Sequence, residues 1–311
     1  MLETPVLFLI FNRPDTTQLV FESIKKQKPV KFYIAADGPR QNIQSDQDKC
    51  ALAKKIVDEG IDWPCEVKTL YRENNLGCGK AVSEAITWFF THEERGIILE
   101  DDCLPDQSFF EFCSTLLEKY ANTKEVMTIS GTNFLPKGWK TKKQSYHFAH
   151  VGIWGWATWK RAWKLYDYNM TTWDNKANKK KIRRAMNNDN WFNLYYSGLF
   201  DITYQKKLDT WDAQWVYCIL NNGGAAINPS VNLVRNIGFG PDATHTTSST
   251  GSYSNLKAQQ IKFPLKHPVN IKVDKKYLQA TFKYYFEYDK TFTQSLKSWI
   301  RIYLRKITGS L

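Results

Sequence analysis

Gly96-Ile97-Ile98-Leu99-Glu100-Asp101-Asp102 is the stretch on which the fold turns. A short apolar run bounded by a break reads as a core strand, and this one ends in three consecutive carboxylates. In open α/β sheets, ligands sit outside the carboxyl ends of such strands. Buried charge there needs a partner. Hard divalent cations take oxygen ligands and share them with substrate phosphates, so the triplet suggests Mg²⁺ or Mn²⁺ holding a diphosphate. The competing reading is a solvated acidic turn that caps the helix begun by Pro105 and Asp106.

Upstream, the same grammar recurs. Val6 to Phe11 is a continuous apolar run, and Asn12-Arg13-Pro14-Asp15 follows it, with Asp15 and Gln18 spaced as a capping box. Phe32 to Ala36 stops at Asp37-Gly38-Pro39-Arg40, and a helix is predicted from Asp46 to Glu59, closed by Gly60. Glu66 to Tyr71 alternates like a strand, and Lys80 to Phe90 has the density of a buried helix. Downstream, Ser108 to Tyr120 reads as a helix and Val126 to Ile129 as a strand. Strands alternating with helices predict an α/β fold with a mainly parallel central sheet flanked by helices.

Beyond Gly131 the pattern changes: aromatics and glycines crowd Val151 to Trp159, and Gly238 to Ser254 is rich in Gly, Ser and Thr. Trp159 and Trp163 read as core. The chain has 311 residues and 42% hydrophobic content, enough for a large core. Six scattered cysteines without CxxC pairs indicate neither a zinc site nor a disulfide framework. No apolar run approaches the ~20 residues that span a bilayer, and Met1 to Phe11 lacks the features of a secretory signal. The expectation is a cytoplasmic protein.

A net charge of +12 favours anionic partners. Lys176 to Arg184 forms one basic block, whose plainest reading is a solvated helix face. Near the C-terminus, Leu296, Trp299, Ile300, Tyr303, Leu304 and Ile307 share one helical face while Lys297, Arg301 and Arg305 fall away from it. Such a basic amphipathic helix suits peripheral contact with an anionic membrane. Its alternative is a helix docked on its own domain or on a second subunit, making a homodimer. The tryptophans cluster with glycines in loops instead of alternating with lysines, which argues against nucleic acid as a partner.

Together the motifs resemble the nucleotide-sugar-dependent glycosyltransferases of the GT-A fold. The first half is similar to the broad family 2 pattern: Phe11-Asn12-Arg13, Asp37-Gly38, Arg72 to Gly77 leading into Ala81, and the acidic triplet. The second half resembles the inverting N-acetylglucosaminyltransferases of N-glycan branching, through Ile129 to Asn133, Trp154-Gly155-Trp156, Trp211-Asp212 with Trp215, and Pro229 through Arg235 to Phe239-Gly240. Order and approximate spacing are kept from residue 5 to about 245. The implied organisation is a GT-A domain over residues 1–265, with a nucleotide-binding half (1–131) and an acceptor half (132–265), then a basic helical extension over 266–311.

By this resemblance Asp102 is the metal ligand, Asp101 meets the donor ribose and Glu100 supports the pair. Phe11, Asn12, Arg13, Asp37 and Arg72 fall at the nucleotide; the alternatives are Asp37 as a turn former and Arg72 as a surface ion pair. Asp212 matches the aspartate that deprotonates the acceptor hydroxyl. Ala213 stands where a second aspartate usually follows, which keeps Asp209 as the fallback, and the plain reading of Asp212 is a helix cap. Trp154, Gly155 and Trp156 would line the sugar, with aromatic core as the competing reading. Arg235 would neutralise the diphosphate, and His245, in a loop suited to a lid, would meet metal or phosphate unless it does neither.

The implied activity is a metal-dependent inverting transfer from a nucleotide diphosphate sugar to a hydroxyl of a glycan or glycolipid acceptor, in surface polysaccharide or lipopolysaccharide synthesis. That places the protein at the inner face of a membrane. The alternatives are a sugar nucleotidyltransferase, whose glycine-rich basic loop Asn12-Arg13-Pro14 does not supply, and a non-catalytic glycan-binding relative.

Overall fold

A computed structural model describes residues 1–135, 139, 144–150, 152–186, 196–239 and 256–284. Its centre is an eight-stranded sheet in the order β3-β2-β1-β4-β8-β6-β9-β7. The strands are β1 (Val6–Ile10), β2 (Lys31–Ala36), β3 (Glu66–Tyr71), β4 (Arg95–Glu100), β6 (Val126–Ser130), β7 (Tyr146–Ala149), β8 (Trp156–Trp159) and β9 (Ala225–Pro229). β1 to β4 are mutually parallel, joined by helical crossovers. β8 runs against both β4 and β6, β9 is parallel to β6, and β7 runs against β9. The mainly parallel α/β sheet expected from the sequence is therefore present, with two reversed strands in its second half.

Burial on both faces explains the unbroken apolar runs of β1, β2 and β4. One face packs Val6, Phe8, Phe32 and Ile34 against α1 (Pro14–Lys25), α2 (Gln44–Gly60) and α4 (Ser108–Lys119), through Phe21, Val57 and Phe109 among others. The other packs Leu7, Leu9, Tyr33 and Ile98 against α3 (Cys78–His92), α5 (Lys160–Trp163) and α8 (Asp212–Asn221), with Phe89, Trp156, Trp163, Trp211 and Trp215. Trp159 and Trp163 are buried, as read from the sequence. A third cluster holds α6 (Lys176–Met186), α7 (Gly198–Tyr204) and α9 (Lys275–Phe282) together through Trp173, Phe200, Tyr217, Tyr277 and Phe282.

Two local expectations are corrected. Asp15 and Gln18 form no capping box: α1 starts at Pro14, its cap residue Arg13 makes no side-chain cap bond, and the Gln18 amide donates to Glu22 at 2.8 Å instead. Proline at the first helical position starts α1 one residue before Asp15, which therefore lies inside the first turn and not at the cap. At α4 it is Asp106, not the acidic triplet, that accepts from the backbone N–H (2.9 Å) and hydroxyl (2.5 Å) of Ser108.

Part of the expected extension packs on the second-half strands. The Ser145 N–H donates to the Lys266 carbonyl and the Asp274 N–H to the Phe148 carbonyl, and the Asp274 side chain caps α9 by accepting from the N–H of Lys276 and Tyr277. The helix expected over Leu296 to Ile307 lies outside the described residues, as does His245. All six cysteines are free thiols. Among the described residues no helix is long and apolar enough to cross a membrane.

Candidate functional site

β4 delivers Glu100, Asp101 and Asp102 to the same sheet edge at which β1 delivers Phe11 to Arg13, because the two strands pair in register from Val6 opposite Ile97 to Leu9 opposite Glu100. The N–H of Phe11 donates to Asp101 Oδ2 at 3.0 Å, and Arg13 Nη1 donates to Asp102 Oδ2 at 3.0 Å. Asp101 is 7% exposed. Burial, then the charge of Asp102, push its pKa up to about 7. Glu100 is raised well above the usual range by burial, then by Asp102, Asp101 and Asp212. Burial alone would lower the pKa of Arg13, but Asp101 and Asp102 outweigh it and hold the guanidinium charged. The edge thus gathers three carboxyl groups around one guanidinium.

A short antiparallel ribbon covers this edge. β5 (Cys103–Pro105) pairs with β10 (Val234–Asn236), after which Ile237 N–H donates to the Asp102 carbonyl at 2.8 Å. Gly238 then rests on Asp102 and Arg13; a methyl there would overlap the Asp102 carboxylate and come within 2.9 Å of Arg13 Nη1. Arg235 stands exposed on β10 opposite Leu104.

The carboxylates of the 209–212 segment approach from across α3. Asp209 Oδ1 accepts from Gly79 N–H at 2.9 Å and packs against Gly77, whose φ of +81° suits a residue without Cβ. Asp209 therefore closes the open start of α3. Asp212 is the first residue of α8; its Oδ1 accepts from the N–H of Ala213 at 2.7 Å and from the Thr210 hydroxyl. Its charge reaches Glu100, while Asp209, Asp212, Glu100 and Asp102 all act on the Cys78 thiol. Burial first, and these acids second, push Cys78 well above the ordinary thiol range, so it stays protonated. Cys78 marks where the two acidic groups converge.

Other expected nucleotide residues are engaged within the fold. Both Asp37 oxygens accept from Leu76 N–H (3.0 and 3.1 Å), with further bonds from Gly38, Asn75 and Gly77, which pins the loop leading into α3. Burial nevertheless raises its pKa. Arg72 lies 3.4 Å from Glu84. The Asn12 amide donates to Asp46 at 2.8 Å, and Arg40 donates to both Asp46 oxygens while its guanidinium lies 5.6 Å from the centre of the Phe11 ring. Arg40 is the main cause of the low Asp46 pKa, about 2.

Trp154 is half-buried and meets Phe134 and Phe239 edge to face, Phe239 being the neighbour of Gly238. Gly155, at φ +57°, passes close to Val234 and Leu99 and accepts a bond from Gly131 N–H at 2.7 Å. Trp156 corrects the expectation of a sugar-lining residue: it is 1% exposed and stacks on Trp211 in the tryptophan core. Alternation along β8 turns its ring inward.

Sequence reasoning passed over Cys78, Gly238 and the Arg40–Asp46 pair. Asp46 carried a faint signal, an acid in the first turn of a predicted helix; Gly238 and Cys78 carried none. The candidate donors at the edge are carboxylate oxygens, which suit a hard divalent cation, and the protonated Cys78 thiol beside them is no ligand for such an ion. Among the described residues no group of three or more His, Cys, Asp or Glu side chains is arranged to hold a metal ion by itself.

No protein-family model matches the chain, and no curated protein does. Among solved structures it is similar to S. aureus TarS 1-349, at 13% identity over 51% of this chain and 47% of that one, with a TM-score of 0.35. It is similar to a UDP-glucose pyrophosphorylase complexed with UDP-glucose (9% identity, 52% of this chain and 78% of that one, TM-score 0.32). A cytidylyltransferase from Leptospira borgpetersenii matches at 13% identity over 53% of this chain and 63% of that one, TM-score 0.31. The match thus spans about half the length of the TarS fragment. Likenesses this slight carry no argument about family or activity.

Proposed function

We propose that the chain is an enzyme, a GT-A-type inverting glycosyltransferase that moves a sugar from a nucleotide diphosphate sugar to a hydroxyl of a glycan or glycolipid. The observation that carries the reading is the acidic edge of β4, where Asp101 accepts from the Phe11 N–H, Asp102 meets Arg13 at 3.0 Å and Gly238 rests on that pair. A cluster of carboxyl groups at strand ends, with an arginine beside it, suits a cation shared with a diphosphate.

In this reading Asp102 holds Mg²⁺ or Mn²⁺ together with the donor phosphates, and the ion would stabilise charge on the leaving nucleoside diphosphate. Arg13 and Arg235 supply charged donors to the same oxygens. Asp101 keeps one oxygen for the ribose while the other holds the Phe11 N–H. Asp212 accepts the proton of the acceptor hydroxyl, which then attacks the anomeric carbon from the side opposite the diphosphate. Trp154 offers a ring face to the sugar. The acceptor belongs to surface polysaccharide or lipopolysaccharide synthesis, at the cytoplasmic face of a membrane.

The test is a panel of nucleoside diphosphate sugars scored for thermal stabilisation and hydrolysis, with and without Mn²⁺. Stabilisation by one donor that requires the ion, and is lost in Asp102→Ala, is the expected result. Ion-independent donor binding, or undiminished affinity of that variant, would overturn the reading.

A further inference from the structure

α6 has two contrasting sides. Ile182 and Met186 are buried with Trp173, Phe200 and Tyr217. Lys176, Lys180 and Arg184 recur every fourth residue, so they form one row along the exposed side, flanked by exposed Lys181 and Arg183. Lys179 differs: it lies 3.5 Å from Asp201 and over the Trp173 ring, at the border of the two sides. The Lys181 ammonium donates to the Asn221 carbonyl at the end of α8.

Such a row is unfavourable for an isolated helix. Like charges at a spacing of four repel, Lys176 opposes the helix dipole, and no acid lies in the first turn. The whole of α6, KANKKKIRRAM, contains no acidic residue. A helix face that served only solubility would mix the two signs. An external anionic surface offsets all of these repulsions together.

We propose that the exposed face of α6 docks on an anionic phospholipid bilayer. The inference stands apart from the transferase reading. A bilayer is favoured over nucleic acid because the cations lie on the outward side of a packed helix, and α6 offers no aromatic ring for base stacking. A plane of headgroups requires only charge. Lys181, beside the row, reaches the Asn221 end of α8, about 14 Å along that helix from Asp212.

The experiment is co-sedimentation of the full chain with vesicles of phosphatidylcholine, with and without phosphatidylglycerol. Wild type is expected to sediment with the anionic vesicles alone, more weakly as salt rises. Lys176→Gln/Lys180→Gln/Arg184→Gln should weaken this on the order of 10²-fold while unfolding at the wild-type temperature. Lys176→Arg/Lys180→Arg, which keeps the charge, should bind as wild type. Equal sedimentation with neutral vesicles, wild-type binding by the Gln variant, or release of the protein by an oligonucleotide at equal phosphate concentration would each overturn the proposal. Nucleotide-sugar binding by the Gln variant should be unchanged, so this result and the transferase test fail independently.

Discussion

Arg13 and Asp102, 89 residues apart in sequence, meet at 3.0 Å with Gly238 seated on both. The pair ties the first turn after β1 to the turn after β4, and a third segment closes over it. Replacing Arg13 with Ala should leave Glu100, Asp101 and Asp102 facing one another, at a cost of roughly 1–3 kcal/mol. The cost should shrink in acid, where protonation removes the repulsion. Denaturant unfolding at pH 8 and pH 5 reads the difference, and equal losses at both would count against this role.

Asp101 makes stability depend on pH in the wild-type protein. An acid whose pKa rises to about 7 on folding binds its proton more tightly in the native state than in the unfolded one. Its effect is therefore absent below about pH 4, the unfolded value, and stability falls as pH climbs toward 7, by at most ~1.4 kcal/mol per pH unit. Asp101→Asn should flatten that slope and be the more stable protein at pH 8. A variant less stable than wild type at pH 8 would contradict the assignment.

Asp209 and Asp212 should separate by phenotype. Asp209→Ala removes the acceptor at the start of α3 and should cost about 1 kcal/mol of stability. Asp212→Asn should fold normally and bind donor, yet lower transfer by ~10²-fold or more if it is the base. Thermal unfolding and turnover, measured on both variants, distinguish these roles; a reversed pattern would move the base to Asp209.

The two tryptophans flanking Gly155 should also part company. Trp156→Ala opens a cavity in the tryptophan core and should cost ~3–5 kcal/mol. Trp154→Ala should cost far less and weaken sugar binding instead. Comparable destabilisation by both would remove Trp154 from the proposed site.

The first half of the fold was legible because parallel strands buried on both faces are written as unbroken apolar runs, and Leu7-Phe8-Leu9 and Ile97-Ile98-Leu99 have no other reading of equal simplicity. β8 was hidden: Trp156 to Trp159 pairs antiparallel on both sides, a tertiary fact that local pattern does not encode. The acidic triplet was visible as an anomaly of charge. Gly238 and Cys78 were not, since their importance lies in what lands beside them, and Trp156 misled because an aromatic between loop and strand looks the same whether it turns inward or outward. Asn12 and Asp37 follow β1 and β2 at one sheet edge, as their strands imply, but only the structure displays Asn12 holding Asp46 and Asp37 holding the 75–77 loop.

The position of β8 also bears on how the chain can be divided. Although it follows β6 in sequence, it lies between β4 and β6, so the two halves of the sheet share no direct border. A fragment ending at residue 131 would carry both neighbours of β8 with nothing to join them, and the free flank of β4 would present unpaired backbone groups in an apolar setting, an invitation to self-association. Residues 1–131 are consequently no autonomous module: their last seam is sewn by a strand made later, and assembly of the sheet waits for that insertion.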